Sequence, residues 1–380
     1  MDFEFSEEHK MLRAAARDFA EREIAPLVDE AEAKEQFPVQ LFPMAGELGY
    51  LCLSYPAKYG AGDVGMIGEC IVMEEMSRIN NGIAVALMTQ GGIATEPILA
   101  HGTEEQRQKY LVPAIKGQVI GAFGLTESNA GSDVAAIETT AIRKGNKYII
   151  NGNKMYISNG PICDYVLLAA YTDKSQVASK GISIFIVDSD TPGLSRTKLE
   201  KFCGRSTDTA ELFFDDCAVP AENLVGEEGR GFIYVLEGLD AGRISHSATS
   251  VGLAQAAYEA ALDYAQQRVQ FGQPIYKFQV NSFKLAKMAM DIEAARWLMY
   301  RAAWMYDQGT RRFKETAMTK LFSSEVAQRV TTEAMQIHGG AALVSKSPVQ
   351  RYFRDARRAT ITEGTSEIQE IVISRALGLR

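Results

Sequence analysis

The sequence predicts an α+β fold in three parts, a helical N-terminal domain, a central β domain and a C-terminal helical bundle. Three observations carry this. Over the first third, apolar residues recur at helical spacing, as at Leu12, Ala16 and Phe19. From about Gly121 to Gly229 short β-rich runs bounded by turn residues take over. Beyond Gly231 come long helical patterns, Ile244 to Arg268, Phe278 to Gln308 and Thr316 to His338, whose short connections imply antiparallel neighbours. The divisions fall at 1–120, 121–229 and 230–380.

In chain order, a first helix is expected from Ser6 to about Ala33. Ser6 stands as its N-cap, with Glu7 and Glu8 in the first turn, where the helix dipole favours them. YPAKYGAGDVG and NNG separate the helices that follow. KYIINGNKMYISNG places β-rich runs on both sides of Asn151-Gly152, a strong hairpin signal, and YVLLAAYT, ISIFIVD and AELFFDDCAVP read as further strands. No internal repeat interrupts this order.

The 380 residues, 46% of them apolar, can bury roughly three quarters of the surface of the unfolded chain. A net charge of -8 argues against nucleic acid or an anionic membrane surface as a partner. The five cysteines are scattered, form no C-x-x-C pair and read as reduced thiols. The start, MDFEFSEEHK, resembles neither a signal nor a transit peptide, and the apolar stretch Gly82 to Met88 is too short to span a bilayer. A soluble, bacterial, cytoplasmic protein is expected, with a mitochondrial matrix form less favoured.

GAGDVG, Gly60 to Gly65, has the spacing of a dinucleotide fingerprint. That motif must follow a strand directly and be answered by an acid ending a second strand about 20 residues on. Here Pro56 interrupts the approach and Glu74 and Glu75 fall inside the following helix, so a surface loop is expected. The four histidines (His9, His101, His246, His338) have no ligand spacing, and no metal site is expected. AFGLTESNAGSD, Ala122 to Asp133, is richer in short donors and glycines. It suits either a loop gripping a polar ring edge and a phosphate or a plain turn-rich connection.

Five segments, AFGLTESNAGSD, NGNKMYISNG, QRVQFG, QIHGG and RDARRATITEGTSEIQ, stand in the order and at the separations found in acyl-CoA dehydrogenases. The chain resembles that family over essentially its whole length, and its short-chain, butyryl-CoA branch most. The resemblance implies a four-helix C-terminal bundle, a homotetramer built as a pair of dimers, and FAD bound without a Rossmann motif. It implies that Leu125, Thr126 and Ser158 donate to the isoalloxazine, that Tyr156 lies against it, and that Ser132 meets the pyrophosphate. Phe123, Gly131, Thr365, Ser366 and Glu367 would lie beside the same cofactor. Phe271 and Gln279 are further cofactor-binding positions, and Arg268, Gln336, Gly339 and Gly340 would reach the FAD of a neighbouring subunit.

Abstracting a proton next to a thioester carbonyl needs a strengthened base and a stabilised oxyanion. TITEGT offers a carboxylate, Glu363, behind a mostly apolar run with no basic residue within four positions; Gly364 lets the backbone approach a ligand closely. Taken alone, Glu363 reads more readily as a surface residue capping a helix that starts near Ser366 than as a base. The resemblance makes it the catalytic base of an α,β-dehydrogenation of a short, branched or cyclic acyl-CoA in fatty acid β-oxidation, with electron-transfer flavoprotein as partner. Asp240, Arg243, Thr362, Gly364 and Ser132 match substrate-side positions. Gly242, in LDAGR, occupies the place where some members carry the base instead.

Three departures stand out: Thr362 where tyrosine is frequent, His338 where phenylalanine is usual, and AALV after the glycine pair. An acyl-CoA oxidase is the enzyme alternative, although such chains usually carry a further C-terminal region. A non-catalytic CoA- or flavin-binding relative is the other alternative, against which Glu363 argues.

Overall fold

A computed structural model describes residues 4–310 and 313–379; the first three residues of the acidic start lie outside them. Helix α1 (Glu7–Phe19) begins as expected, Ser6 Oγ accepting from the His9 N–H at 3.2 Å. The helix does not run unbroken to Ala33. A π turn at Ala20–Ile24 and a 3₁₀ turn at Ala25–Leu27 precede α2 (Val28–Lys34), because Pro26 cannot donate to the ladder. Next come α3 (Leu41–Glu47), α4 (Gly65–Ile79), α5 (Asn81–Gly91), α6 (Glu96–His101), α7 (Glu104–Gln106) and α8 (Val112–Ile115). The run Asn81–His101 has the length and hydropathy to cross a bilayer, yet 78% of its most apolar window is buried inside the protein. It is a core element.

The GAGDVG stretch is a largely exposed loop leading into α4. The first amides of that helix already have an anion: Met66 N and Ile67 N donate to the Asp307 carboxylate at 2.6 and 3.2 Å. The place a phosphate would take at such a helix start is filled by the chain's own side chain.

The β domain comprises β1 (Gly121–Gly124), β2 (Thr140–Lys144), β3 (Lys147–Ser158), β4 (Tyr165–Tyr171), the short α9 (Ala178–Gly181), β5 (Ile182–Asp188), β6 (Leu194–Lys198), β7 (Thr209–Pro220) and β8 (Leu224–Val225). They form one sheet in the order β6-β7-β3-β2-β4-β5-β8, with β1 parallel to β4. The expected hairpin at Asn151-Gly152 is not there. β3 runs straight through both residues, and the turn lies at Gly145-Asn146, where Lys144 pairs with Lys147. Gly152, at φ +145°, marks a register shift against β7 instead, and a β-carbon there would collide with Thr139.

β4 and β5 read as continuous apolar runs because both of their faces are covered. Tyr165, Leu167, Ala169, Ile182, Ile184 and Ile186 join the core shared with the helices, whereas Val166, Leu168, Ala170, Phe185 and Val187 face a second core inside the β domain. The period-2 alternation therefore glues the β domain to the helical parts.

After α10 (Gly231–Gln267), a small ladder of β9 (Val269–Gln270) and β10 (Gln273–Pro274) leads to α11 (Gln279–Asp307), α12 (Phe313–His338), α13 (Pro348–Ala359) and α14 (Ser366–Ala376). At 37 residues α10 is about 55 Å long. It starts at Gly231 rather than near Ile244, since packing on α4, α11 and α12 overrides the weak helix propensity of Gly238, Asp240 and Gly242. All five cysteines are free thiols, four of them buried.

Candidate active site

The middle of α10 carries an unusual load: Asp240, Arg243, Ser245, His246, Ser247, Thr249 and Ser250 are all buried. Polar residues in such a place need partners. Two of them, Arg243 and His246, find them in the connection between α13 and α14.

That connection, Thr360 to Thr365, is held in a conformation its sequence resists. Glu363 has φ +58° and Gly364 φ +87°, both left-handed. For a side-chain-bearing residue this conformation costs energy and persists only where surroundings impose it. Four donors do so here. Arg243 Nε reaches the Glu363 carbonyl at 3.3 Å, and Gln369 Nε2 reaches the carbonyls of Glu363 and Gly364 at 3.1 and 3.0 Å. Lys320 Nζ, fully buried, donates to the Gly364 carbonyl at 2.6 Å, and Ser366 N closes the turn on the Thr360 carbonyl at 3.0 Å. A β-carbon at position 364 would come within 2.8 Å of Gln369 Nε2, so glycine fits and larger residues do not.

The turn aims the Glu363 side chain at α10. A β-carbon on Gly242 would stand 3.2 Å from Glu363 Oε2, so the missing side chain of that glycine makes the carboxylate's room. Oε2 is buried and has no hydrogen-bond partner among the described residues. Burial pushes the Glu363 carboxyl above its ordinary range, while Arg243 and Lys320 pull it back. The sequence has no basic residue within four positions of Glu363, but the fold supplies two from other helices. Burial in turn brings Lys320 down to about 8 against the pull of Glu363. Glu363 does not cap α14; the Thr365 hydroxyl does, accepting from Ile368 N at 3.4 Å. Asp240 accepts from the Thr316 hydroxyl, and Thr362 Oγ1 lies 2.9 Å from His246 Nε2.

A second cluster lies in the β domain. The buried Lys154 pairs with Glu127 at 2.7 Å and donates to the Leu125 carbonyl at 2.9 Å, while Met155 N donates to the Thr126 carbonyl at 2.8 Å. Burial brings Lys154 down to about 8 against the pull of Glu127. Together these contacts fix Leu125 and Thr126 against β3. Between Lys154 and Ile157 the pairing with β7 slips, and Tyr156 sits in that bulge at φ +62° with 68% of its surface uncovered. A bulge of this kind re-aims a side chain. Ser158 is half-buried nearby on the same strand, Phe123 is buried in β1, and Gly131 and Ser132 are exposed in the loop.

The remaining expected residues stand apart within one chain. About 38 Å of helix separates Arg268, at the end of α10, from Arg243. Phe271, at φ +51°, is 94% exposed, and Gln279, Gln336, Gly339 and Gly340 are exposed as well. Stacking of His338 on Tyr264, with ring centroids 4.4 Å apart, sets the ends of α10 and α12 side by side. Thr365, Ser366 and Glu367 line an open cavity of about 430 Å³ together with Gln328, Arg329 and Arg357.

The donor chemistry fits a flavin. Tyr156 is an uncovered aromatic, short hydroxyls lie on adjoining segments, and Glu363 Oε2 lacks a partner among the described residues. Sequence reasoning missed Lys320, His246, Gln369 and Lys154. For Lys320 a signal existed, since it interrupts an otherwise small and uncharged helix face at Thr316, Ala317, Ser324 and Ala327. His246 had none, because its partner lies far along the chain.

Three family models match: the N-terminal domain of acyl-CoA dehydrogenase over residues 6–118, the middle domain over 122–217 and the C-terminal domain over 229–378. A probable acyl-CoA dehydrogenase of Bacillus subtilis is 43% identical over 99% of this chain and 100% of its own. Butyryl-CoA dehydrogenase of Megasphaera elsdenii superposes with a TM-score of 0.96 at 41% identity, covering 100% of both chains. A chain solved in work on the electron transferring flavoprotein of Acidaminococcus fermentans gives 0.97 at 42% identity, covering 99% of each.

Proposed function

The chain belongs to the acyl-CoA dehydrogenase family of FAD-dependent oxidoreductases, and from that premise we propose that Glu363 is the base that removes the α-proton of a short, branched or cyclic acyl-CoA, yielding the 2-enoyl-CoA. The observation that carries this is the buried Oε2, without a partner among the described residues, on a left-handed turn. Desolvation strengthens the carboxylate as a base, and Arg243 and Lys320 keep it from staying protonated. Arg243, Lys320 and Gln369 position the turn through its carbonyls, so that the Glu363 N–H is available to the thioester oxygen. Asp240, Arg243, Thr362, Gly364 and Ser132 are the proposed substrate-side residues.

Bound FAD supplies the acceptor for the hydride leaving the β-carbon. Leu125, Thr126 and Ser158 would hold its ring, with Tyr156 against it. Ser132 would hold the pyrophosphate, and Phe123, Gly131, Thr365, Ser366 and Glu367 would line its path. Phe271 and Gln279 are further proposed cofactor contacts, and Arg268, Gln336, Gly339 and Gly340 are proposed to serve a neighbour's FAD in a homotetramer; their exposure at the ends of α10 and α12 supports that assignment. Electron-transfer flavoprotein is the proposed redox partner, supported by the likeness to the chain from Acidaminococcus fermentans.

Anaerobic addition of short, branched and alicyclic acyl-CoA esters to the purified yellow protein should bleach the flavin with at least one of them. Glu363→Gln should keep FAD and ligand affinity while bleaching falls about 10³-fold. Substantial bleaching in that variant overturns the assignment of the base. Rapid recovery of colour in air without electron-transfer flavoprotein indicates an oxidase instead.

A further inference from the structure

We propose that His246 and Thr362 form a hydrogen-bonding wall of the acyl cleft, and that the short acyl group this enzyme takes carries a hydroxyl that meets His246 Nδ1. The proposal rests on the reading of Glu363 as the base, because it places the acyl group beside that carboxylate.

Gly242, Arg243 and His246 stand at i, i+1 and i+4 on α10 and together carry the Thr362–Gly364 turn. Gly242 makes room for Glu363 Oε2, Arg243 Nε holds the Glu363 carbonyl, and His246 Nε2 lies 2.9 Å from Thr362 Oγ1. The imidazole therefore flanks the reactive carboxylate about one helical turn along the same face. His246 is only 2% exposed, and its Nδ1 has no hydrogen-bond partner among the described residues. Two orphaned polar atoms, Glu363 Oε2 and His246 Nδ1, thus lie buried along one face of a helix. The great majority of buried polar atoms in proteins are paired, and two left open beside a reactive group point to a ligand that completes both.

The chemistry of that ligand follows from the charge state. Burial pushes His246 well below its ordinary range, and the cations of Lys320 and Arg358 add to the effect, so the ring is neutral. One nitrogen of a neutral imidazole donates and the other accepts. The Thr362 hydroxyl donates to the Arg358 carbonyl at 3.4 Å and so accepts from His246 Nε2, which leaves Nδ1 as an acceptor. A hydroxyl can donate to it. A ketone only accepts, a terminal carboxylate only accepts and would also meet the charge of Glu363, and an alkyl chain would leave Nδ1 unmade.

The test measures binding without turnover. In FAD-loaded Glu363→Gln protein, calorimetric Kd values are compared for butyryl-CoA against 4-hydroxybutyryl-CoA and for valeryl-CoA against 5-hydroxyvaleryl-CoA. At least one hydroxylated ester is expected to bind fivefold or more tightly than its plain partner. Adding His246→Leu should bring that ratio to one or below, with FAD content retained. Thr362→Val, at an exposed position, should lower the ratio partly and serves if the His246 variant does not fold. A ratio near one in the Glu363→Gln protein, or a ratio that neither substitution changes, overturns the proposal. If no acyl-CoA binds the Glu363→Gln protein and none bleaches the wild type, the reading of Glu363 falls, and this proposal with it.

Discussion

Asp307 and Glu363 are both carboxylates that burial pushes above their ordinary range, and they meet opposite fates. Asp307 is committed: its two oxygens take the Met66 and Ile67 amides and cap α4, directly after the one stretch whose glycine pattern looked like a nucleotide site. Glu363 is left uncommitted. Arg243 and Gln369 grip its carbonyl and Lys320 grips that of Gly364, while its own Oε2 has no partner among the described residues. Structure spends a carboxylate by giving it amides, whereas chemistry needs one that is placed firmly and left unspent. The difference lies in what the fold brings up, since each residue comes to its site from a distant part of the chain.

The contrast can be broken most sharply at Gly242. Gly242→Val puts methyl groups where Oε2 now sits, and displacing a base by about 1 Å costs on the order of 10²-fold. Flavin bleaching per bound FAD is expected to fall by that factor with little change in melting temperature. Unchanged bleaching would show that Oε2 does not work from its present place.

Asp307 should give the reverse pattern. Asp307→Ala removes an anion from two helix-start amides and is expected to cost about 2 kcal/mol of stability, read from denaturant midpoints. Bleaching per bound FAD should not change. A loss of activity without a loss of stability would reverse the roles assigned to the two carboxylates.

Lys320 tests the charges around the base. The groups facing Glu363 are Arg243 from α10 and Lys320 from α12, and both favour its ionised form. Lys320→Met removes one cation, which raises the pKa of Glu363, so the acid limb of the pH–rate profile moves to higher pH. A shift of about half a unit to one unit is expected, while Lys320→Arg should leave the limb in place. A structural defect alone would lower the rate at every pH and leave the limb where it was.

Much of the fold was legible because period and punctuation are local signals. The Ser6 cap, the three-part order and the long bundle helices all follow from neighbours within a few turns. Asn151-Gly152 misled because a glycine that suits a two-residue turn suits a bulge as well; the partner strand β7, about 60 residues on, decides between them. Glu363 was reached through a resemblance rather than through its surroundings. Arg243, Lys320 and His246, which set its geometry and proton affinity, approach it from 43 to 120 residues away. Their meeting is a property of helix packing that no local pattern encodes.

The smallest effect isolates the cost of leaving a carboxylate unspent. Because the folded protein holds the Glu363 carboxyl above its unfolded value, the folded state binds more protons there than the unfolded chain between the two values. Stability from this group is therefore complete at acid pH and is lost as pH rises through the folded value. Glu363→Gln cannot ionise and escapes that loss. Its melting temperature should exceed that of the wild type by about 1–2 °C at pH 8, and the gap should close as pH falls toward 4. Scanning calorimetry on the FAD-loaded proteins measures it. A gap that persists unchanged at acid pH would mean that the substitution stabilises by packing, so that the buried charge carries no cost.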